Sequence, residues 1–355
     1  MSFIDWFLLT ILSKLEGQRS AGGAFHILKG KRSAQTIQDV HLFHLKTYVG
    51  SMKDLSRENF DKKINEYIKV GLIINNNDHI SLSVKGTEAL SNLNKRFYLP
   101  EGYDGSKYEW TGLREVFWNR LSLIVQSVTH LIREEHSFIP VTYQLETQRW
   151  VRNFLKNTPL SVKELRDSLY NELYQFLNTL PSSRANLFTN RLSTPIATGR
   201  TFDQLCVAFY EDPLYTKVYF NSIIHQLLYQ VSERKKEYGL LSKLIHDIVS
   251  TKMISESAKE TEKLLNKGLE LEEIMQVRGL KRSTIEDHFI ELAINNHEFP
   301  ILHFICKKDI EDVLTIASRF NTKRLRFIKD KLNNDISYFQ IRLALTKAQE
   351  ETSIG

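Results

Sequence analysis

Between residues 56 and 90 the spacing of apolar side chains changes twice, and this constrains the fold more than any other feature of the chain. In SRENFDKKINEYIKVGLIINNNDHISLSVKGTEAL, Ser56 stands where a helix N-cap belongs, and Phe60, Ile64, Tyr67 and Ile68 recur at helical spacing. Gly71 holds the position glycine favours just past a helix end. The period then shortens: Ile73-Ile74 and Ile80-Ser81-Leu82-Ser83 read as two short strands around the turn Asn75-Asn76-Asn77-Asp78. With the segments on either side, the order is helix, helix, helix, hairpin, helix, which is that of a winged helix. The expected fold is therefore mainly α. It comprises a winged-helix-like domain over 1–96 with a small β-hairpin wing, a linker over 97–112, a helical middle domain over 113–250 and a helix-turn-helix domain over 251–355.

Elsewhere helical patterns dominate. Ile4, Phe7, Leu8, Ile11, Leu12 and Leu15 fall at helical spacing and predict an amphipathic core helix. The opening MSFIDWFLLTILSKLEG is not read as a signal sequence, because Asp5 sits where a positive region belongs and the apolar run is short. No stretch is long enough to span a membrane. FYLPEGYDGSKYEWTG, residues 97–112, gathers proline, glycine and polar residues and marks the first boundary; a second falls near 250–258. PSSRANLFTNRLSTPIATGRT, residues 181–201, predicts a long mobile loop.

In LLNKGLELEEIMQVRGLKRSTIEDHFIELAINN, residues 264–296, Leu271, Ile274 and Val277 give one short helix an inner face, Gly279 breaks it, and Leu280 plugs the gap. Ser283 and Glu286 form an S-x-x-E capping box for a second helix. Ile285, Phe289, Leu292 and Ala293 make its buried stripe, leaving Thr284, Asp287, His288 and Glu291 outside. Two short helices joined by a glycine-containing turn make a helix-turn-helix. Its DNA-facing candidates are Lys281, Arg282, Ser283, Thr284, Asp287 and His288. The alternative is a protein-docking unit, since Asp287 and Glu291 repel phosphates.

A net charge of +6 and a pI near 9.0 are compatible with a polyanionic partner without establishing one. Residues 1–110 carry 15 basic and 12 acidic side chains, 111–250 carry 16 and 13, and 251–355 carry 17 and 17, so any basic surface is local. One candidate is the helix bearing Lys323, Arg324, Arg326, Lys329 and Lys331 around a stripe of Leu325, Ile328 and Leu332. A second is the helix exposing Arg57, Lys62, Lys63 and Lys69, with Lys85 close behind the hairpin. A third is KGKRSAQTIQD, which places Lys29, Lys31 and Arg32 before a helix capped by Ser33. This is not a P-loop: Gly23 and Gly30 are wrongly spaced, and Arg32 replaces the hydroxyl residue.

Catalysis finds little support. His41 and His44 share a helix face without a third ligand and read as packing residues. Cys206 and Cys306 form no ligand cluster and fit a reduced, cytoplasmic chain. No GxSxG, HExxH or helicase motif is present. The expectation is a protein that is not an enzyme, with no cofactor, metal or small-molecule substrate, located in the cytoplasm with the nucleoid.

GLELEEIMQVRGLKRSTIEDHFIEL resembles the helix-turn-helix at the C-terminus of many RecQ-family helicases, with Arg-Gly-Leu followed by Ser-Thr-Ile and a histidine one turn later. NTKRLRFIKDKLNNDISYFQIRLAL resembles the segment that follows it there. The whole chain, lacking a helicase motor, is similar to the YpbB-like proteins of low-GC Gram-positive bacteria, which tend to be encoded beside a RecQ-type helicase. Two positions depart from the helicase pattern: Glu270 stands where a Ser or Thr cap is usual, and Met275 where a small residue is usual. The resemblance implies a DNA-binding accessory protein working with a RecQ-type helicase in DNA repair or recombination. The rival readings are a helix-turn-helix transcriptional regulator and a protein-protein scaffold without DNA contact.

Overall fold

The computed structural model describes residues 1–76, 79–135, 137–210, 212–248, 254–296, 298–332 and 335–347. In chain order the first helices are α1 (Phe3–Lys14), α2 (Ala21–Lys29), α3 (Ala34–Leu42) and α4 (Arg57–Lys69), followed by β1 (Ile73–Asn76), β2 (His79–Leu82) and α5 (Val84–Leu93). Then come α6 (Leu113–Ile132), α7 (Leu145–Asn157), α8 (Val162–Leu177), α9 (Ser182–Thr189), α10 (Phe202–Phe209), α11 (Pro213–Glu233) and α12 (Gly239–Lys243). The last are α13 (Glu256–Leu265), α14 (Leu271–Arg278), α15 (Arg282–Asn295), α16 (Lys307–Arg319), α17 (Leu325–Lys331) and α18 (Tyr338–Thr346). The protein is thus mainly helical. None of these helices is long and apolar enough to cross a membrane.

The helix-to-hairpin switch forms as its residues dictate. The Ser56 side chain accepts a hydrogen bond from the Asn59 N–H at the start of α4, while Phe60, Ile64 and Tyr67 are buried and Ile68 turns outward. Gly71 takes φ +75°, and the chain continues into an antiparallel pair with Ile73 opposite Leu82 and Asn76 opposite His79. The strands therefore run two residues further into the polar tetrad than expected; Asn77 and Asp78 lie outside the described residues. The first helix also differs from expectation. Residues 5–9 of α1 are all buried, so it has no broad polar face.

The chain divides into two compact units, residues 1–6 with 94–250, and residues 7–93 with 251–355. In the first, α6 packs on α7, α8 and α11, and α11 also meets α9, α10 and α12. Ile223, Ile224, Leu227, Leu228 and Val231 of α11 are buried, the pattern of a helix enclosed on most sides. The segment expected as a linker belongs to this unit. Its Phe97, Tyr103 and Tyr108 are buried, and the Asp104 N–H donates to Nδ1 of the buried His225 at 3.0 Å. The expected mobile loop over 181–201 is likewise built in: it contains α9 and a bridge between Thr194 and Ala197. Apolar side chains account for both differences, because Tyr103, Tyr108, Leu187 and Phe188 sit among the polar residues and are buried.

The second unit joins sequence ends that had been expected to form separate domains. Residues 36–42 of α3 are all buried, enclosed by α2, α15 and α18. Arg342 Nε donates to Gln38 Oε1 at 2.8 Å, Gln38 Nε2 returns a bond to the Arg342 carbonyl, and His41 Nε2–H donates to the Thr346 carbonyl at 3.2 Å. His41 is accordingly a packing residue, while His44 lies past the end of α3 at φ +53°.

Candidate nucleic-acid interface

The corner between α14 and α15 forms at the expected glycine. Gly279 adopts φ +60°, and its N–H and that of Leu280 close back on the Gln276 and Met275 carbonyls at 3.3 and 3.2 Å. Leu271 and Ile274 are buried, but Val277 is 63% exposed and lies off the inner face. At Glu270, where a Ser or Thr cap is usual, the backbone N–H is received by the Glu273 carboxylate at 2.8 Å. The start of α15 lies earlier than its sequence suggests. Lys281 occupies the N-cap position without a side-chain cap bond, and its carbonyl accepts from the Thr284 and Ile285 N–H groups. Ser283 is thus inside the first turn, and the Ser283–Glu286 capping box is replaced by an Arg282–Glu286 pair.

The buried stripe is as expected, with Ile285, Phe289 and Leu292 at 0% exposure and Ala293 at 5%. The opposite face is not open. His288 is buried, with Nδ1 hydrogen-bonded to the Thr261 hydroxyl at 2.8 Å, while Thr261 Oγ1 receives Arg278 Nη1 at 2.9 Å. Burial, followed by the Arg278 charge, holds the His288 imidazole below its ordinary pKa and favours the neutral ring. Glu291 is also buried and accepts the Ser255 N–H and hydroxyl, capping α13 from across the core. Burial pushes the Glu291 carboxyl up, opposed by the Ser255 bonds and the charge of Arg32. Asp287 accepts Arg342 Nη1 at 2.7 Å. His288 and Glu291, expected outside, are therefore structural, and Asp287 is committed to an ion pair.

What remains open is the first turn. Lys281, Arg282 and Ser283 are exposed and Thr284 is half-buried. Arg282 reaches Glu272 at 2.6 Å and Glu286 at 3.0 Å, so its charge is largely satisfied internally. The Lys281 side chain has no hydrogen-bond or ion-pair partner among the described residues.

The other basic candidates divide in the same manner. Lys31 and Arg32 are exposed ahead of α3, whose cap is Ser33 as expected, and Arg32 approaches α15 closely enough to act on Glu291. On α4 the cations are paired along the helix: Arg57 with Asp61 at 2.8 Å, Lys62 with Glu58 at 2.7 Å and Lys63 with Glu66 at 3.2 Å. Lys85 Nζ donates to the Val70 carbonyl at 2.8 Å. Lys323 precedes α17 rather than lying on it; its ammonium stands 4.5 Å from the centroid of the Phe43 ring, and burial pushes its pKa down. Lys329 and Lys331 lie over Tyr338 and Phe320, whereas Arg324 and Arg326 are exposed. Arg324 lines a cavity of about 320 Å³ with Phe320 and Phe327, and Glu16 on the same wall sets a negative charge in it. The second unit therefore gathers the helix-turn-helix, the α3 cations and the 323–331 cations, but internal partners occupy about half of them. Sequence reading missed Arg278, Thr261 and Ser255, whose bonds hold α13 to α14 and α15; the polar residues of KETEKLL gave no sign of a buried threonine.

Residues 257–345 match the family described as a helix-turn-helix domain. Over 353 residues, covering 99% of each chain, the sequence is 30% identical to protein YpbB of Bacillus subtilis (strain 168). No solved structure matches the chain.

Proposed function

The chain belongs to the family of protein YpbB, and on that premise we propose that it is a non-enzymatic DNA-binding accessory protein acting with a RecQ-type DNA helicase in DNA repair or recombination. The observation that carries DNA contact is the corner at 279–284. A glycine turn presents the first turn of α15 with Lys281 exposed and unpaired among the described residues, in the part of a second helix that reaches DNA in helix-turn-helix proteins. The Arg282 and Ser283 N–H groups at the start of α15 and the Lys281 ammonium suit a phosphate, and Lys31, Arg32, Arg324 and Arg326 of the same unit add charge. The helicase association is supported by the likeness of residues 268–292 to the C-terminal helix-turn-helix of RecQ-family helicases. Such a protein supplies in trans a module that other helicases carry in their own chain.

Binding of the full chain to a fork, a plain duplex and a single strand, at two salt concentrations and with or without the RecQ-type helicase, tests the reading. Fork or junction preference with little sequence dependence, and tighter binding with helicase, is the expected result. A tight palindromic site bound by a dimer would instead make the protein a transcriptional regulator. A scaffold reading is favoured by one observation, the double ion pair of Arg282; it prevails if no DNA binds and the helicase still co-purifies.

A further inference from the structure

The first unit presents a surface that resembles none of the basic patches above and does not depend on the helix-turn-helix. Along α7, Thr147 and Val151 are buried, while Trp150, Asn153, Phe154 and Asn157 follow one another at spacings of three, one and three. They form one stripe along the helix. Arg149, Arg152 and Lys156, spaced by three and four, form a parallel stripe about 100° around the helix axis. We propose that this face binds single-stranded nucleic acid, with a base stacking on Phe154, which Trp150 and Arg120 back in turn, and the phosphate backbone following Arg149, Arg152 and Lys156.

Three observations carry the assignment. The first is the ring geometry: the Trp150 and Phe154 planes are within 10° of parallel with centroids 5.2 Å apart. The indole is held in place before any ligand arrives. Its N–H donates to Asp247 Oδ2 at 2.9 Å, and Arg120 grips both Asp247 oxygens at 2.6 and 2.9 Å while its guanidinium lies 3.9 Å from the indole centroid. Arg120 also donates to the Leu244 carbonyl, tying the platform to the end of α12. A fixed aromatic platform binds with little entropy cost, because its rotamers are already set.

The second observation is space. Trp150, Phe154, Asn153, Asn157, Lys243 and His246 line a cavity of about 420 Å³, within the range of sites for small planar ligands. The two amides offer donors and acceptors to base edges, and Lys243 adds a cation at the rim. The third is charge. Among the described residues, the side chains of Arg149, Arg152, Lys156 and Lys243 have no ion-pair or hydrogen-bond partner, in contrast with those of Arg57, Lys62, Lys63 and Arg282, each of which does. Unpaired cations meet phosphate without first breaking an internal pair. Stacking needs bases with an open face, which single strands offer and duplexes do not. An acidic polypeptide would satisfy the cations but would leave the parallel rings and paired amides without a role.

The test uses the full chain and three probes: a labelled oligothymidylate, a hairpin duplex and polyglutamate. Phe154→Ala is expected to lower oligothymidylate affinity about tenfold or more. The triple change Arg149→Ala, Arg152→Ala, Lys156→Ala is expected to lower it at least as much at low salt and to reduce the salt slope by about 2. Neither is expected to change duplex binding, whereas Lys281→Ala is expected to lower duplex binding and leave oligothymidylate untouched; the two readings thus fail separately. Circular-dichroism melting confirms that each variant is folded. Oligothymidylate binding unaffected by both α7 variants overturns the proposal. So does polyglutamate binding as tight as oligothymidylate with Phe154→Ala silent, which would make the face an acidic-peptide site.

Discussion

At the start of α15 two neighbouring cations stand in different electrostatic states. Lys281 is exposed and unpaired among the described residues, whereas Arg282 is held by Glu272 and Glu286. The difference predicts an asymmetry that the sequence, with its adjacent Lys-Arg, does not show. Lys281→Ala is expected to reduce duplex affinity and lower the salt slope by about 1, while Arg282→Ala has a smaller effect, because phosphate must compete with two carboxylates. Equal losses from the two substitutions, in titrations at two salt concentrations, would sink this account. Two residues along, His288 gives a pH signature. Its imidazole is held below the ordinary value by burial and by Arg278, so the unfolded chain takes up a proton where the folded chain does not. Its contribution to stability is steady above about pH 6.5 and declines as pH falls below that. Urea midpoints at pH 7.5 and 5.5 are expected to differ less in His288→Gln, whose amide can keep the Thr261 bond, than in the native chain.

On the scale of elements, the α14–α15 corner rests on one backbone conformation and one ring. A Cβ on Gly279 meets no atom within 4 Å, so Gly279→Ala carries only the cost of a side chain at φ +60°, about 1 kcal/mol. Phe289 is another matter: it is fully buried, with ring centroids 4.8 Å from Phe304 and 5.9 Å from Phe299, and Phe289→Ala is expected to cost about 3–5 kcal/mol in a denaturant titration. Both features were legible in the sequence, because a glycine at a helix end and an apolar stripe at helical spacing act locally. The outer face of α15 was not. His288, Glu291 and Asp287 look solvent-bound when only their own helix is considered. Their partners Thr261, Ser255 and Arg342 lie 27, 36 and 55 residues away and leave no periodic trace. The α7 face was missed for the opposite reason: tryptophan, phenylalanine and arginine at helical spacing read as an ordinary amphipathic helix, and only ring geometry and the missing ion pairs set it apart.

At the scale of the molecule, residues 7–93 and 251–355 share one compact unit, while residues 1–6 join 94–250 in the other. The pairing of 7–93 with 251–355 was not readable in the sequence. Nothing in α3 announces that it is buried on nearly every side, and its polar members Gln38 and His41 find partners only in α18. A fragment spanning 251–355 is accordingly expected to expose surface that α3 covers, to melt below the full chain and to bind a hydrophobic dye; equal melting temperatures would refute the dependence. That dependence also sets a timetable for synthesis. The Gln38 amide and the Arg342 carbonyl it contacts are 304 residues apart, so on the ribosome α3 waits, at about 5–20 residues per second, roughly tens of seconds for its cover. During that interval residues 94–250 can close their own core, and the apolar flank of α3 is left for a chaperone to shield.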